Sequence, residues 1–316
     1  MNGDPQAPER ATGWSRMQNC NNPSMADAPA ATPPIVLAIA ASDPSGGAGI
    51  QADVLTVSCM GCHPLSVITA LTVQDTAGVE AVLAIDTEWV ADQARCLLED
   101  LTIDAIKIGV MGSVENIAAI AEIVSDYPDV PVILDPVLAS GRGDELATDE
   151  MMHALTELLL PHTLIITPNS IEARRLAEQD ESTEPSLAQC AERLIAAGCE
   201  NVLITGTHET TPHVVNTLYA KNGIVRSDSW PRLPGQYHGS GCTLSSGVAA
   251  MLAQGIALSD AVREAQDYTW NSLAKAYRPG MGQLIPDRLF WARGEHKDAP
   301  VDETDERRRA EIRGSH

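Results

Sequence analysis

Aromatic side chains make up only 3% of the 316 residues, with one Phe, five Trp and five Tyr. A base-stacking platform therefore lacks material, and any core must be assembled from Ala, Val, Ile and Leu. Positive charge is scarce as well: 21 Lys and Arg stand against 43 Asp and Glu, a formal net charge of −22. A surface this acidic repels phosphate backbones and anionic lipid, which argues against nucleic acid and membrane as partners. It leaves room for a small phosphate site built locally from backbone N–H groups. No apolar run approaches the roughly 18 residues of a membrane span. The N-terminal stretch carries Asp4, Glu9, Asn21, Asn22 and Asp27 and has no apolar segment of the kind a secretory signal needs. The seven cysteines, at 20, 59, 62, 96, 190, 199 and 242, are odd in number and lack the spacing of a small secreted scaffold. Reduced thiols in a cytoplasmic protein are the expectation.

What is present divides into three parts. Residues 1–33 are rich in Pro, Asn, Ala and Ser without periodicity, and 294–316 are highly charged with few large apolar residues. Both are expected to be disordered arms around a domain spanning 34–293. Within that domain short apolar, β-branched runs at 35–41, 66–70, 105–108, 132–134, 164–167 and 202–205 alternate with helical patterns. The helices are expected at about 48–60, 88–101, 114–125, 149–158, 170–178 and 186–197, with two long ones at 242–254 and 258–277. Continuous apolar strands suit a parallel sheet covered on both faces. The expected fold is α/β: a doubly wound, mostly parallel central sheet in a three-layer αβα sandwich. Segments 216–219 and 224–227, joined through Lys221-Asn222-Gly223, predict an antiparallel hairpin at one edge.

In such a sheet the ligand site lies beyond the carboxyl ends of the strands, so the residues after each strand carry the information. The first strand is followed by Ser42-Asp43-Pro44-Ser45-Gly46-Gly47-Ala48-Gly49, whose glycines allow close backbone approach. Neither GxGxxG nor GxxxxGK[ST] occurs there. Gln74, after the second strand, offers a donor and an acceptor to a heterocycle edge or is simply polar loop. Asp135 follows the fourth strand, and Asn169-x-x-Glu172 opens a helix after the fifth. These three either hold a hydrated Mg²⁺ near phosphates or, for Asn169 and Glu172, cap the helix. Gly239-Ser240-Gly241-Cys242 opens an apolar helix, so its N–H groups form an anion hole. Cys242 falls in the first turn, where the dipole is expected to lower its pKa. Cys59-Met60-Gly61-Cys62-His63 fits the covalent haem pattern, but no second Cys pair lies within zinc spacing and Gly61 reads as a helix C-cap.

Taken together, residues 43–53 (DPSGGAGIQAD), 66–71 (SVITAL), Gln74, 107–109 (KIG), 167–173 (TPNSIEA) and 239–246 (GSGCTLSS) resemble the hydroxymethylpyrimidine/phosphomethylpyrimidine kinases of thiamine biosynthesis. These belong to the ribokinase superfamily. The resemblance implies a ribokinase-like fold and transfer of the γ-phosphoryl of MgATP to 4-amino-5-hydroxymethyl-2-methylpyrimidine, then to its monophosphate. It implies Cys242 as base and Gly239, Ser240 and Gly241 as the anion hole. Gln74, Ala41, Ala48, Asp53, Val110 and Val137 would line the pyrimidine pocket. Asn169, Thr205, Gly206 and Thr243 would face the nucleotide, and Glu172, Asn169 and Asp135 would organise Mg²⁺. The expected state is a homodimer. The sequence departs from the family pattern at Gly141-Arg142-Gly143, where a Lys-Ser-Gly is usual, at Thr205-Gly206-Thr207-His208 in place of Lys-Gly-Gly-His, and at Tyr237 in place of Thr. A pyridoxal kinase of the same branch and a catalytically silent pyrimidine-binding regulator are the alternatives.

Overall fold

The computed structural model describes residues 32–140, 143–177 and 184–293. The expected arms lie outside them apart from residues 32 and 33, as does Arg142. Nine strands form a single sheet in the order β3-β2-β1-β4-β5-β6-β7-β8-β9. The strands are β1 (Ile35–Ser42), β2 (His63–Gln74), β3 (Val79–Ala84), β4 (Ala105–Ile108), β5 (Val132–Leu134), β6 (Ile165–Ile166), β7 (Asn201–Ile204), β8 (His213–Ala220) and β9 (Gly223–Pro231). Strands β2, β1, β4, β5, β6 and β7 run parallel. The expected edge hairpin is β8–β9, and it continues the sheet antiparallel to β7.

The helices are α1 (Gly49–Cys59), α2 (Thr87–Asp100), α3 (Val114–Ser125), α4 (Asp149–Ala154), α5 (Ser170–Leu176), α6 (Leu187–Ala196), α7 (Ser240–Ala253) and α8 (Leu258–Ala274). Strand alternation sorts them into two layers. Leu37 and Ile39 of β1, Ile106 and Ile108 of β4 and Leu134 of β5 face a core shared with α2, α3, α4 and α6. Val36, Ala105 and Ile133 face the opposite core, built with α1, α7 and α8. Lys107, between Ile106 and Ile108, therefore points toward α1 and α7. The three layers are as expected.

Two elements differ from expectation. β3 lies antiparallel to β2, and most of its side chains are exposed. It is made by edge pairing rather than by core burial, so no apolar run announces it. The helix expected to 158 ends its α geometry at Ala154, widens into a π turn over Leu155–Leu159, and closes with a tight turn over Leu160–His162. The chain passes from β1 to β2 on one side and on to β4 on the other. The switch point is thus the carboxyl end of β1, where this class of sheet opens a crevice.

Candidate active site

The loop leaving β1 is organised by Asp43, which is 1% exposed. Its carboxylate accepts the Ser45 N–H at 2.8 Å and the Ala48 N–H at 2.7 Å, and Oδ2 lies 2.8 Å from His238 Nε2. Burial alone would raise this carboxyl, but the His238, Ser45 and Ala48 bonds outweigh it and hold it below its ordinary value. The loop thereby turns back onto the segment that begins α7. A Cβ on Gly47 would strike the His238 ring, and one on Gly239, which has φ +85°, would overlap the Gly47 carbonyl. Only glycine lets the two backbones touch here.

Gly239 is the N-cap of α7. Helix geometry leaves the N–H groups of Ser240, Gly241 and Cys242 without an intrahelical acceptor, and Gly241 is exposed at the mouth. The structure thus brings the expected anion-hole residues to the GGAG loop. Thr243 does not join them: its hydroxyl donates to Gly239 O at 2.8 Å and accepts from Arg288 Nε at 3.1 Å, and the residue is wholly buried. Its side chain braces the turn and is not available to a nucleotide, a correction of the sequence reading.

Below Gly241 lies a buried polar network. Lys107 Nζ and Asp53 Oδ2 pair at 2.8 Å with neither side chain exposed. The second Asp53 oxygen accepts from Ser246 Oγ at 2.7 Å, and Asp135 accepts from Ser245 Oγ at 3.2 Å. With both oxygens engaged, Asp53 supports α1 against α7 instead of lining a pocket. Burial pushes the Cys242 thiol up to about 12, against the opposing charge of Lys107. The expected lowering by the helix dipole is overturned because desolvation of a thiolate here exceeds the first-turn field.

Asn169 and Glu172 form a complete capping box on α5. Asn169 Oδ1 accepts the N–H groups of Ile171 at 2.9 Å and Glu172 at 3.0 Å, and Glu172 Oε2 accepts the Asn169 N–H at 2.9 Å. Both lone pairs of the Asn169 amide oxygen are committed, which removes that atom as a metal ligand. Glu172 is pushed up to about 8, first by burial and then by the charge of Asp135. Asp135 is itself raised, first by burial.

The remaining expected residues sit at the same edge of the sheet. Ala41 and Gln74 lie at the ends of β1 and β2, and Ala48 caps α1. Val110 and Val137 line one small cleft together with Pro136 and Leu138. Thr205 bridges to Asn169, and Gly206 N donates to Asn216 Oδ1 at 3.1 Å. Sequence reasoning gave no role to Asp43, Lys107 or Arg288. Asp43 and Lys107 sit inside recognised motifs, whereas Arg288 lies in a stretch without periodicity. The CxxCH residues Cys59 and Cys62 are buried free thiols, and Gly61 takes φ +86°, as a helix end requires.

Among the described residues no helix is long and apolar enough to cross a membrane. The family described as Phosphomethylpyrimidine kinase matches residues 43–287. The hydroxymethylpyrimidine/phosphomethylpyrimidine kinase of Streptomyces coelicolor is 36% identical over 85% of this chain and 99% of its own. That of Escherichia coli is 37% identical over 76% and 91%. The thiamine biosynthesis bifunctional protein ThiED of Geobacter sulfurreducens is 38% identical over 78% of this chain, which spans 50% of that longer protein. Among solved structures, phosphomethylpyrimidine kinase from Clostridium difficile superposes with a TM-score of 0.65 at 34% identity, covering 76% of this chain and 99% of that one. An ADP complex of Bacillus subtilis pyridoxal kinase superposes with a TM-score of 0.76 at 27% identity, covering 83% and 99%. With a glycine-built helix N-terminus at the switch point, and with relatives of this kind along most of its length, the chain belongs to the phosphomethylpyrimidine kinase family.

Proposed function

We propose that this protein transfers the γ-phosphoryl group of ATP to the hydroxymethyl oxygen of 4-amino-5-hydroxymethyl-2-methylpyrimidine, and then phosphorylates the resulting monophosphate. The observation that carries this reading is the junction of the GGAG loop with the start of α7. There the Ser240 and Gly241 amides open α7, and the Cys242 thiol is buried next to them among Lys107, Asp135 and the Gly49 N–H. Phosphoryl transfer passes through a loose transition state, so positioned N–H donors matter more than base strength. The amides of Ser240 and Gly241 stabilise charge on the moving group. Cys242 takes the alcohol's proton as a minor thiolate, its charge supported by Lys107 and the Gly49 N–H. Gln74, Val110 and Val137 provide the pyrimidine pocket, and the edge formed by Asn169, Thr205 and Gly206 provides the nucleotide side.

Two buried carboxylates stand here: Glu172 is raised by burial and by the charge of Asp135, and Asp135 is raised by burial against the opposing charge of Lys107. Among the described residues no group of three or more ligating side chains forms a protein cage. That donor set fits Mg²⁺, which keeps several waters and binds through one or two carboxylates and substrate phosphates. Asp135 would hold it, with Glu172 acting through charge. When bound, the ion neutralises charge on the phosphates. The reading extends to a single catalytic domain over 34–293 and to a homodimer, for which the exposed edge strand β3, with Val82 and Leu83 outward, offers the contact. The unpaired state of Cys59, Cys62, Cys96, Cys190, Cys199 and Cys242 supports a reducing, cytoplasmic setting.

ATP consumption assayed with the pyrimidine alcohol, its monophosphate and pyridoxal tests this reading. Turnover highest with the pyrimidines is expected. Turnover highest with pyridoxal moves the protein to the neighbouring vitamin kinase, and binding without turnover makes it a sensor.

A further inference from the structure

The C-terminal return of the chain places one cation against both phosphate-facing loops. Arg288 is 4% exposed. Its guanidinium donates to Gly47 O at 2.6 Å, Gly46 O at 3.4 Å, Gly239 O at 3.4 Å and Thr243 Oγ1 at 3.1 Å. Its own backbone is fixed by Tyr268, whose hydroxyl donates to Arg288 O at 2.7 Å. Among the described residues no carboxylate lies within ion-pair distance of it, although Asp287 beside it pairs with Arg293 at 3.2 Å. A buried cation without a paired anion is costly to keep, and here its partners are three loop carbonyls and a hydroxyl. The family match stops one residue short of it, at 287.

Peptide geometry turns these bonds into orientation. Carbonyl and N–H of one trans peptide point in opposite directions. Drawing Gly239 O toward Arg288 therefore aims the Ser240 N–H away from it, out of the helix end and into the mouth. Drawing Gly46 O and Gly47 O the same way holds the first loop against this turn. The planar fork suits this task because it reaches several acceptors in fixed geometry, which an ammonium does not.

We propose that Arg288 is a positioning residue of the phosphoryl-transfer site, holding the GGAG loop and the Gly239 turn in mutual register so that the Ser240 amide faces the transferring group. This rests on the kinase reading above. An amide displaced from the developing charge lowers turnover more than ground-state affinity.

The test uses the full chain and measures steady-state kinetics on the pyrimidine alcohol, with binding of ADP–Mg²⁺–aluminium fluoride and of a non-hydrolysable ATP analogue followed by tryptophan fluorescence. Arg288→Met is expected to lower kcat by about 10²-fold with KM changed less than threefold. It should also weaken the fluoride complex far more than the ATP analogue. Arg288→Lys, which retains charge and stem but not the fork, should fall between this variant and wild type. If Arg288→Met fails to fold by circular dichroism, Arg288→Lys carries the test, with about a tenfold loss in kcat expected. Wild-type kcat in whichever variant folds, or a rise in KM alone, overturns the proposal. Wild-type enzyme inactive on every pyrimidine overturns the kinase reading instead. The two analogues, compared in wild type and variants, then decide the Arg288 role by themselves, since equal weakening of both overturns it.

Discussion

Cys242 shows how far a residue's surroundings can reverse a reading made from its place in a motif. The first turn of α7 suggested a thiol made acidic by the helix, yet burial leaves it up at about 12. If the sulfur takes the substrate proton, kcat/KM should climb with pH across roughly pH 6 to 9 without a plateau, because the thiolate fraction rises throughout that range. Cys242→Ala should lose about 10²-fold or more in kcat, flatten the profile and melt within a few degrees of wild type. A flat wild-type profile would remove Cys242 as the base. Glu172 makes a second prediction. Its carboxyl is raised from 4.5 to about 8, so between these values the folded chain holds a proton that the unfolded chain has lost. Its contribution to stability is full below about pH 4.5 and disappears as pH rises through about 8. Melting followed across this interval should show a decline that Glu172→Gln flattens. The sequence displayed Asn169-x-x-Glu172 in full but not its use. Capping and metal binding ask for the same residue types at the same spacing, and only the fold, by committing both lone pairs of the Asn169 amide oxygen, decides for capping.

Elements made by burial were legible. The apolar runs of β1, β4, β5 and β7 gave the central sheet, because a strand covered on both faces must be apolar throughout. β3 was not legible, since its stability comes from main-chain pairing with β2 and its side chains face outward. The turn between these strands is fastened from afar. Gln283 N donates to Thr76 O at 2.7 Å and Gly282 N to Thr76 Oγ1 at 3.0 Å, while Val79 N donates to Asp144 Oδ2 at 3.1 Å. A Cβ at Gly282 would overlap the Thr76 backbone. Gly282→Ala should therefore lift the turn that follows Gln74. Steady-state kinetics should show KM for the alcohol several-fold higher with kcat nearly unchanged, and an unaltered KM would mean that the turn does not bear on the pocket.

At the scale of the whole molecule, the charge of −22 opposes the approach of every phosphorylated ligand. Added salt screens that repulsion within a Debye length of about 8 to 10 Å. kcat/KM for the monophosphate should therefore rise with ionic strength, while that for the uncharged alcohol at saturating ATP should stay nearly level. Equal responses would show that the local field of the mouth, not the net charge, governs approach. Composition gave this behaviour directly, whereas the pairing of distant segments was hidden in it. His238 meets Asp43 across 195 positions, and Arg288 meets Gly47 across 241. During synthesis the first loop leaves the ribosome long before either fastening does, and domains fold as units once their chain is out. A nascent chain halted after β9 would thus carry all nine strands of the sheet and no catalytic power, so the enzyme switches on only as its last turns emerge.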